Sequence, residues 1–230
     1  MVSIPIDGSS SYLEGDLTII EISKIRGIVI FAHGSASNKN SPRNSHVGRI
    51  LNNAGFSTLL VDLLTQEEQD LDIKAQKLIH KIPGITLNKF NIKLLAKRLI
   101  TITDWIRANR ETQNFSIGYF GASTGAAAAI EAAAEARLRN QISAVISRGG
   151  RPDLASVNSL RSIYAPTLLI MGDKDSKDLI NLNRKALMEL RNAKDKTLII
   201  IPGGGHLFEE PGTIEKVGRY SVDWFKNHIG

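Results

Sequence analysis

Six short apolar runs, rich in β-branched residues, punctuate the chain: Arg26–Ala32, Ser57–Asp62, Phe115–Phe120, Ile142–Ser147, Pro166–Met171 and Thr197–Ile201. They are nearly continuous in apolar residues rather than alternating. A strand needs that pattern only when both of its faces are covered, as in a parallel sheet. Between them lie stretches with helical spacing. Ile92, Leu95, Leu99, Ile102 and Ile106 recur at steps of three and four, with Lys93, Lys97, Arg98 and Arg107 off the stripe. Thr124 to Arg139 is rich in alanine and predicts a helix. Leu179, Leu182, Ala186 and Leu190 mark another, and Ile214, Val217, Trp224 and Phe225 a last one opened by Pro211-Gly212-Thr213. Alternation of this kind predicts an α/β fold, a mostly parallel central sheet flanked by helices on both faces. Residues 2–22 alternate more weakly around Asp7-Gly8 and Glu14-Gly15-Asp16, which predicts an antiparallel hairpin at one sheet edge.

No linker, repeat or break in composition divides the 230 residues, so one domain over residues 1–230 is expected. The least regular stretch is 64–91, with an acidic start at Glu67, Glu68 and Asp70 and an interrupting Pro83-Gly84. It reads as a lid-like insertion over a pocket. No apolar run is long enough to span a membrane, and the first residues lack the basic and apolar regions of a secretory signal. There is no cysteine, which excludes disulfides, thiolate metal sites and a cysteine nucleophile and agrees with a cytoplasmic protein. The net charge is +6, and it is concentrated: between Asp72 and Arg110 nine lysines and arginines face two acids. No nucleic-acid motif accompanies them, so this stretch reads as a solvated face or as a lure for acidic substrates.

The chemistry centres on Gly121-Ala122-Ser123-Thr124-Gly125. This G-x-S-x-G sequence follows a predicted strand and opens a predicted helix, the context of a nucleophilic serine on a sharp turn. The flanking glycines relieve crowding where strand and helix pass. The helix N-terminus turns its free N–H groups toward developing negative charge. The competing reading is a glycine-rich nucleotide turn. The glycines here, Gly118, Gly121 and Gly125, have the wrong spacing for a dinucleotide fingerprint, and no Walker sequence exists in the chain.

A serine nucleophile needs a base, and the base needs an orienting acid. Of five histidines, His206 follows the last strand through Pro202-Gly203-Gly204-Gly205, a loop able to bring an imidazole over the serine. His80 lies in the basic stretch, His46 reads as a helix or surface residue, and His228 as a surface residue near the C-terminus. Chain order then calls for an acid between Ser123 and His206. Asp175, after the strand ending at Met171, is preferred to Asp173, which suits a turn beside Gly172, and to Asp178, which suits the next helix's first turn. The backbone N–H groups of Thr124 and of Ser35, in Phe31-Ala32-His33-Gly34-Ser35, are the expected oxyanion donors. His33 reads as a brace for that loop.

Together these residues resemble the α/β-hydrolase superfamily across essentially the whole chain. More narrowly, Phe31–Ser35, Ser41-Pro42-Arg43-Asn44, Ser147–Leu154 and His206–Gly212 resemble a small bacterial subgroup of the dienelactone-hydrolase-like branch. Members of that subgroup occur alone or fused to phosphoribosyltransferase-like domains. Dienelactone hydrolase proper uses a cysteine nucleophile, so the resemblance does not carry dienelactone over as the substrate. The expectation is a serine esterase that needs no cofactor or metal and acts on a small-molecule ester, whether neutral or anionic being left open. Arg43, Arg148 and Arg151 are candidates for pairing with a substrate carboxylate or phosphate, against the alternative of loop-fixing salt bridges. A non-hydrolytic binding or regulatory module on the same fold is the competing function.

Overall fold

The structure, a computed structural model, describes residues 1–6, 11–20, 27–78, 84 and 86–229. In chain order the elements are β1 (Val2–Pro5), β2 (Tyr12–Thr18), β3 (Gly27–Ala32), α1 (Pro42–Asn53), β4 (Ser57–Val61), α2 (Gln66–Gln76) and α3 (Ile92–Ala108). They continue with β5 (Ser116–Ala122), α4 (Thr124–Ala134), β6 (Ile142–Arg148), α5 (Val157–Ser162), β7 (Thr167–Gly172), α6 (Lys177–Glu189), β8 (Lys196–Ile201) and α7 (Thr213–His228). The eight strands form one sheet in the order β1-β2-β4-β3-β5-β6-β7-β8. β1 and β2 pair antiparallel at one edge, as the N-terminal pattern predicts, β2 joins β4 antiparallel as well, and the pairings from β4–β3 to β7–β8 are parallel. The predicted Asp7-Gly8 turn, Arg26, His80 and Pro83 lie outside the described residues.

The continuous apolar runs are explained by two buried faces. Along β3, Ile28, Ile30 and Ala32 join one core with α3 and α4, while Val29 and Phe31 join the other with α1 and α7. β5 divides in the same way, Ile117 and Tyr119 on one side and Phe120 on the other. The α3 stripe is buried as its spacing predicts, and Asn91 caps the helix by accepting the Leu94 N–H. The Tyr119 hydroxyl, sealed in this core, meets the Thr103 hydroxyl at 2.6 Å, and Thr103 in turn donates to the Leu99 carbonyl at 2.9 Å. Burial pushes the phenol far above its usual pKa, so it stays a neutral donor.

Two helix expectations need correcting. The alanine-rich helix ends at Ala134 rather than Arg139: Glu135 leaves helical geometry, and a short 3-10 turn at Ala136–Leu138 follows. Leu138 is drawn into the core and Arg137 grips Asp104 with two 2.8 Å hydrogen bonds, so tertiary contacts override local propensity. In α6 the inward position next to Leu179 and Ile180 is taken by Asn183, while Leu182 is only half-buried.

The 64–91 segment carries α2, fixed by a capping box between Thr65 and Glu68, and Glu68 also meets Arg98 at 2.7 Å. Asp72 accepts the backbone N–H groups of Asn88 and Lys89 at 2.7 and 2.8 Å, which ties the two ends of the described segment together. Among the described residues no helix is long and apolar enough to cross a membrane.

Candidate active site

Strand register places the chemistry along one edge. Ala32 of β3 pairs with Gly121, Ala122 of β5 with Arg148, Arg148 of β6 with Ile170, and Gly172 of β7 with Ile201. The residues just past these ends, His33, Ser123, Asp175 and His206, therefore share the carboxyl rim of the sheet, where ligands of open α/β sheets bind.

Ser123 sits between β5 and α4 with φ 51° and ψ −119°, a backbone conformation that side-chain-bearing residues rarely adopt. Three hydrogen bonds hold it there. Its N–H donates to the Arg148 carbonyl at 3.2 Å, and its own carbonyl accepts from Ala126 and Arg151, both at 3.1 Å. The motif glycines are required by close approach. A Cβ on Gly125 would overlap the Ala32 and His33 carbonyl oxygens, and one on Gly121 would lie 2.5 Å from Ala126 Cα.

Ser123 and His206 line one cleft of about 240 Å³. His206 Nδ1 lies 2.8 Å from Asp175 Oδ2, and the Asp175 side chain is only 7% exposed. The other Asp175 oxygen accepts the Ser176 N–H at 2.8 Å. A carboxylate only accepts, so Nδ1 carries the proton and Nε2 is left as the basic nitrogen. No hydrogen bond joins the Ser123 hydroxyl to the imidazole. The competing acids have other work: Asp173 accepts the Gly203 N–H at 2.7 Å, and Asp178 lies in the first turn of α6.

Compared with solved structures, the chain is 44% identical to a dienelactone hydrolase from Anabaena variabilis, with all of this chain and 97% of that one covered at a TM-score of 0.87. It belongs to the dienelactone-hydrolase-like α/β-hydrolases. Est1E from Butyrivibrio proteoclasticus, 16% identical with a TM-score of 0.75 over 99% and 98% of the two chains, has the same fold. So does the Pyrococcus furiosus esterase Pf2001, 16% identical at 0.75 over 100% and 92%. Among curated proteins, two Mycobacterium tuberculosis relatives, from strains CDC 1551 and H37Rv, are 47% identical over 215 residues. They carry the name "Putative phosphoribosyl transferase", and the match covers 94% of this chain but 44% of their length. No protein-family model matches the chain.

Around the hydrolase-fold elbow, Ser35 lines the cleft with Ser123, and Thr124 opens α4, where first-turn N–H groups lack helical acceptors. His33 is buried and bridges two backbone groups. Its Nδ1–H donates to the Gly34 carbonyl at 3.0 Å, and its Nε2 accepts the Leu63 N–H at 3.1 Å. That pattern requires the neutral ring, and burial lowers its pKa accordingly. The 3.8 Å approach of His33 to Asp62 is therefore not an ion pair, and burial in turn raises the Asp62 pKa.

The three arginines differ. Arg151 makes a fork with Asp153 through bonds of 2.7 to 3.2 Å, the loop-fixing role. Arg43 meets Glu209 at 2.7 Å on the rim. Arg148 is 6% exposed, lines the cleft beside Ser123, and meets no carboxylate among the described residues. It makes only long bonds to the Leu207 carbonyl (3.5 Å) and to Asn44 Oδ1 (3.4 Å), and its Nε has no partner. Burial, aided by Arg43, pushes its pKa down to about 10, still a cation at neutral pH. Sequence reasoning missed Asn44, Asn183 (which donates to the Gly150 carbonyl at 3.1 Å) and Glu210 (which accepts the Gly205 N–H at 2.9 Å). Asn44 and Glu210 stand inside the segments that carry the family resemblance, which was the available signal. The bland histidines are placed as side-chain contacts: His46 lies 3.4 Å from Glu215, and His228 packs against Trp224 at 4.5 Å rather than lying free on the surface.

Proposed function

We propose that this chain is a serine hydrolase that cleaves an ester-type acyl bond through Ser123, His206 and Asp175. The observation that carries the reading is the strained turn at Ser123, held open to a cleft that it shares with an aspartate-oriented imidazole. Catalytic hydrogen bonds often tighten only once substrate is bound, so the open serine–imidazole gap fits a resting site. Ser123 Oγ attacks the carbonyl carbon while His206 Nε2 takes the hydroxyl proton. Asp175 keeps the proton on Nδ1 and stabilises the imidazolium. The oxyanion faces the Ser35 and Thr124 N–H groups, each worth about 10²–10³ in kcat. Collapse breaks the ester bond, and His206 protonates the departing alcohol. Water, deprotonated by His206, then attacks the acyl-enzyme and releases the acid and free Ser123.

The uncompensated Arg148 supports negative charge in the cleft, so an anionic ester is the preferred substrate class. p-Nitrophenyl acetate tests the chemistry: wild type releases nitrophenol, and a folded Ser123→Ala variant does not. A variant that kept the wild-type rate would overturn the reading. A second reading draws on the curated relatives, whose printed name is that of a transferase and of whose length this chain matches 44%. On that reading the fold serves as a non-hydrolytic binding or regulatory unit, and a folded wild type inert to all esters would favour it.

A further inference from the structure

The serine cleft does not end at Arg43. Ser35, Ala36, Ser37 and Arg43 also line a second, larger groove of about 620 Å³ that runs beneath α2. The cleft alone falls below the roughly 300–1,000 Å³ usual for ligand sites, and the groove lies within that range. Ala36, Pro42, Leu64 and Ile73 give its lining an apolar portion, and Ile73 is left 59% exposed with no core to cover it. Its far end is cationic, with Lys77 and Lys89 on the lining. Lys77 is exposed and makes no ion pair among the described residues. The Lys89 ammonium has a neutral hydrogen-bond partner, Gln76 at 2.7 Å, and lies over the Phe90 ring.

The one acid on the lining, Asp72, directs both oxygens to the backbone N–H groups of Asn88 and Lys89 and pairs with neither ammonium, so its single charge leaves the two lysines in excess. The joined linings therefore offer a nucleophile, a junction at Arg43, an apolar portion and two cations that no carboxylate among the described residues pairs.

We propose that this groove seats the extended part of the ester substrate, a chain with an apolar middle and an anionic end group held by Lys77 and Lys89. The proposal rests on the hydrolase reading for the nucleophile but concerns a different set of residues. It makes the substrate a two-ended molecule of several carbons rather than a short neutral ester. Lysines act as point charges and do not select carboxylate over phosphate, so the shared feature is the distal anion.

Binding to the Ser123→Ala variant reads groove occupancy without turnover. Calorimetric titration compares monoethyl adipate and ethyl 6-phosphonohexanoate with ethyl hexanoate, which has the same chain length and no terminal charge. The expected result is binding about tenfold tighter for the two anionic esters, with the advantage lost in a Lys77→Glu/Lys89→Glu background. A preference for one anion over the other would identify the end group. Equal binding of charged and neutral chains, or an advantage that survives the double substitution, would overturn the proposal. Anion-selective binding in a protein whose wild type hydrolyses no ester would instead refute the hydrolase reading and leave the groove standing.

Discussion

The α3–α4 side of the sheet and the carboxyl rim of β5 and β6 lie a few residues apart in sequence yet treat polar groups in opposite ways. On the α3–α4 side most are satisfied, the Arg98 Nε being an exception: Tyr119 reaches Thr103, Arg107 donates to the Gln113 and Phe115 carbonyls, and Arg137 clasps Asp104. At the rim the Arg148 Nε, Thr124 Oγ1 and Ser147 Oγ are buried without partners, and Ser123 is held in a strained backbone. Local rules are kept where the protein only has to stand and broken where it has to act. Single unpartnered atoms also occur elsewhere, at Arg98, Asn183 and Trp224, but at the rim three of them adjoin a strained residue, and such a concentration is best explained by what that place binds.

Substitutions can break this contrast. The largest effect is expected for Ser123→Ala, which should lower kcat for p-nitrophenyl esters by about 10⁶-fold, the scale seen when a catalytic serine is removed, with the circular dichroism unchanged. Asp175→Asn should follow, lowering kcat by about 10³–10⁴-fold because the imidazole loses its enforced tautomer. Steady-state kinetics checks both, and a change in KM alone would contradict the role given to Asp175.

Arg148→Met separates the two regions most clearly. It removes an uncompensated buried cation, so the melting temperature should rise, with stability gaining about 1 kcal/mol. The same change should lower kcat/KM by about tenfold for esters whose anion lies next to the scissile bond, whereas esters with a distal anion depend on Lys77 and Lys89. A fall in both stability and activity would show that Arg148 braces the loop instead. Tyr119→Phe, on the satisfied side, should cost about 1–2 kcal/mol in chemical denaturation, because it leaves the Thr103 oxygen short of a donor, and it should leave ester kinetics alone. The smallest effect is in solution conditions. Added salt should slow turnover of anionic esters but not of neutral ones, and equal responses would reduce the basic stretch to a solvated face.

Much of the fold was legible because burial on both sides writes itself into continuous apolar runs, as in β3 and β5. The rim was legible for a different reason. Strand ends are easily located, so Ser123, Asp175 and His206 fall along one edge, after β5, β7 and β8, and the 2.8 Å Asp175–His206 contact joins the acid and base that the sequence singles out. What stayed hidden depended on distant partners. Arg148 and Arg151 look alike in sequence. Arg151 finds Asp153 two residues on, whereas Arg148 points across the rim to Asn44, 104 residues away. Asn183 escaped because a polar residue inside a helix stripe reads as outward-facing. The end of α4 at Ala134 escaped because Leu138 and Arg137 answer to contacts with other elements.

The account turns on a reactive hydroxyl at the elbow between β5 and α4. Incubation with a fluorophosphonate, followed by mass spectrometry of the digested protein, tests this directly. One phosphonyl group per chain, on the peptide that contains Ser123 and absent from Ser123→Ala, is the predicted result. A folded protein that stays unlabelled, or takes the label at another serine, would contradict it.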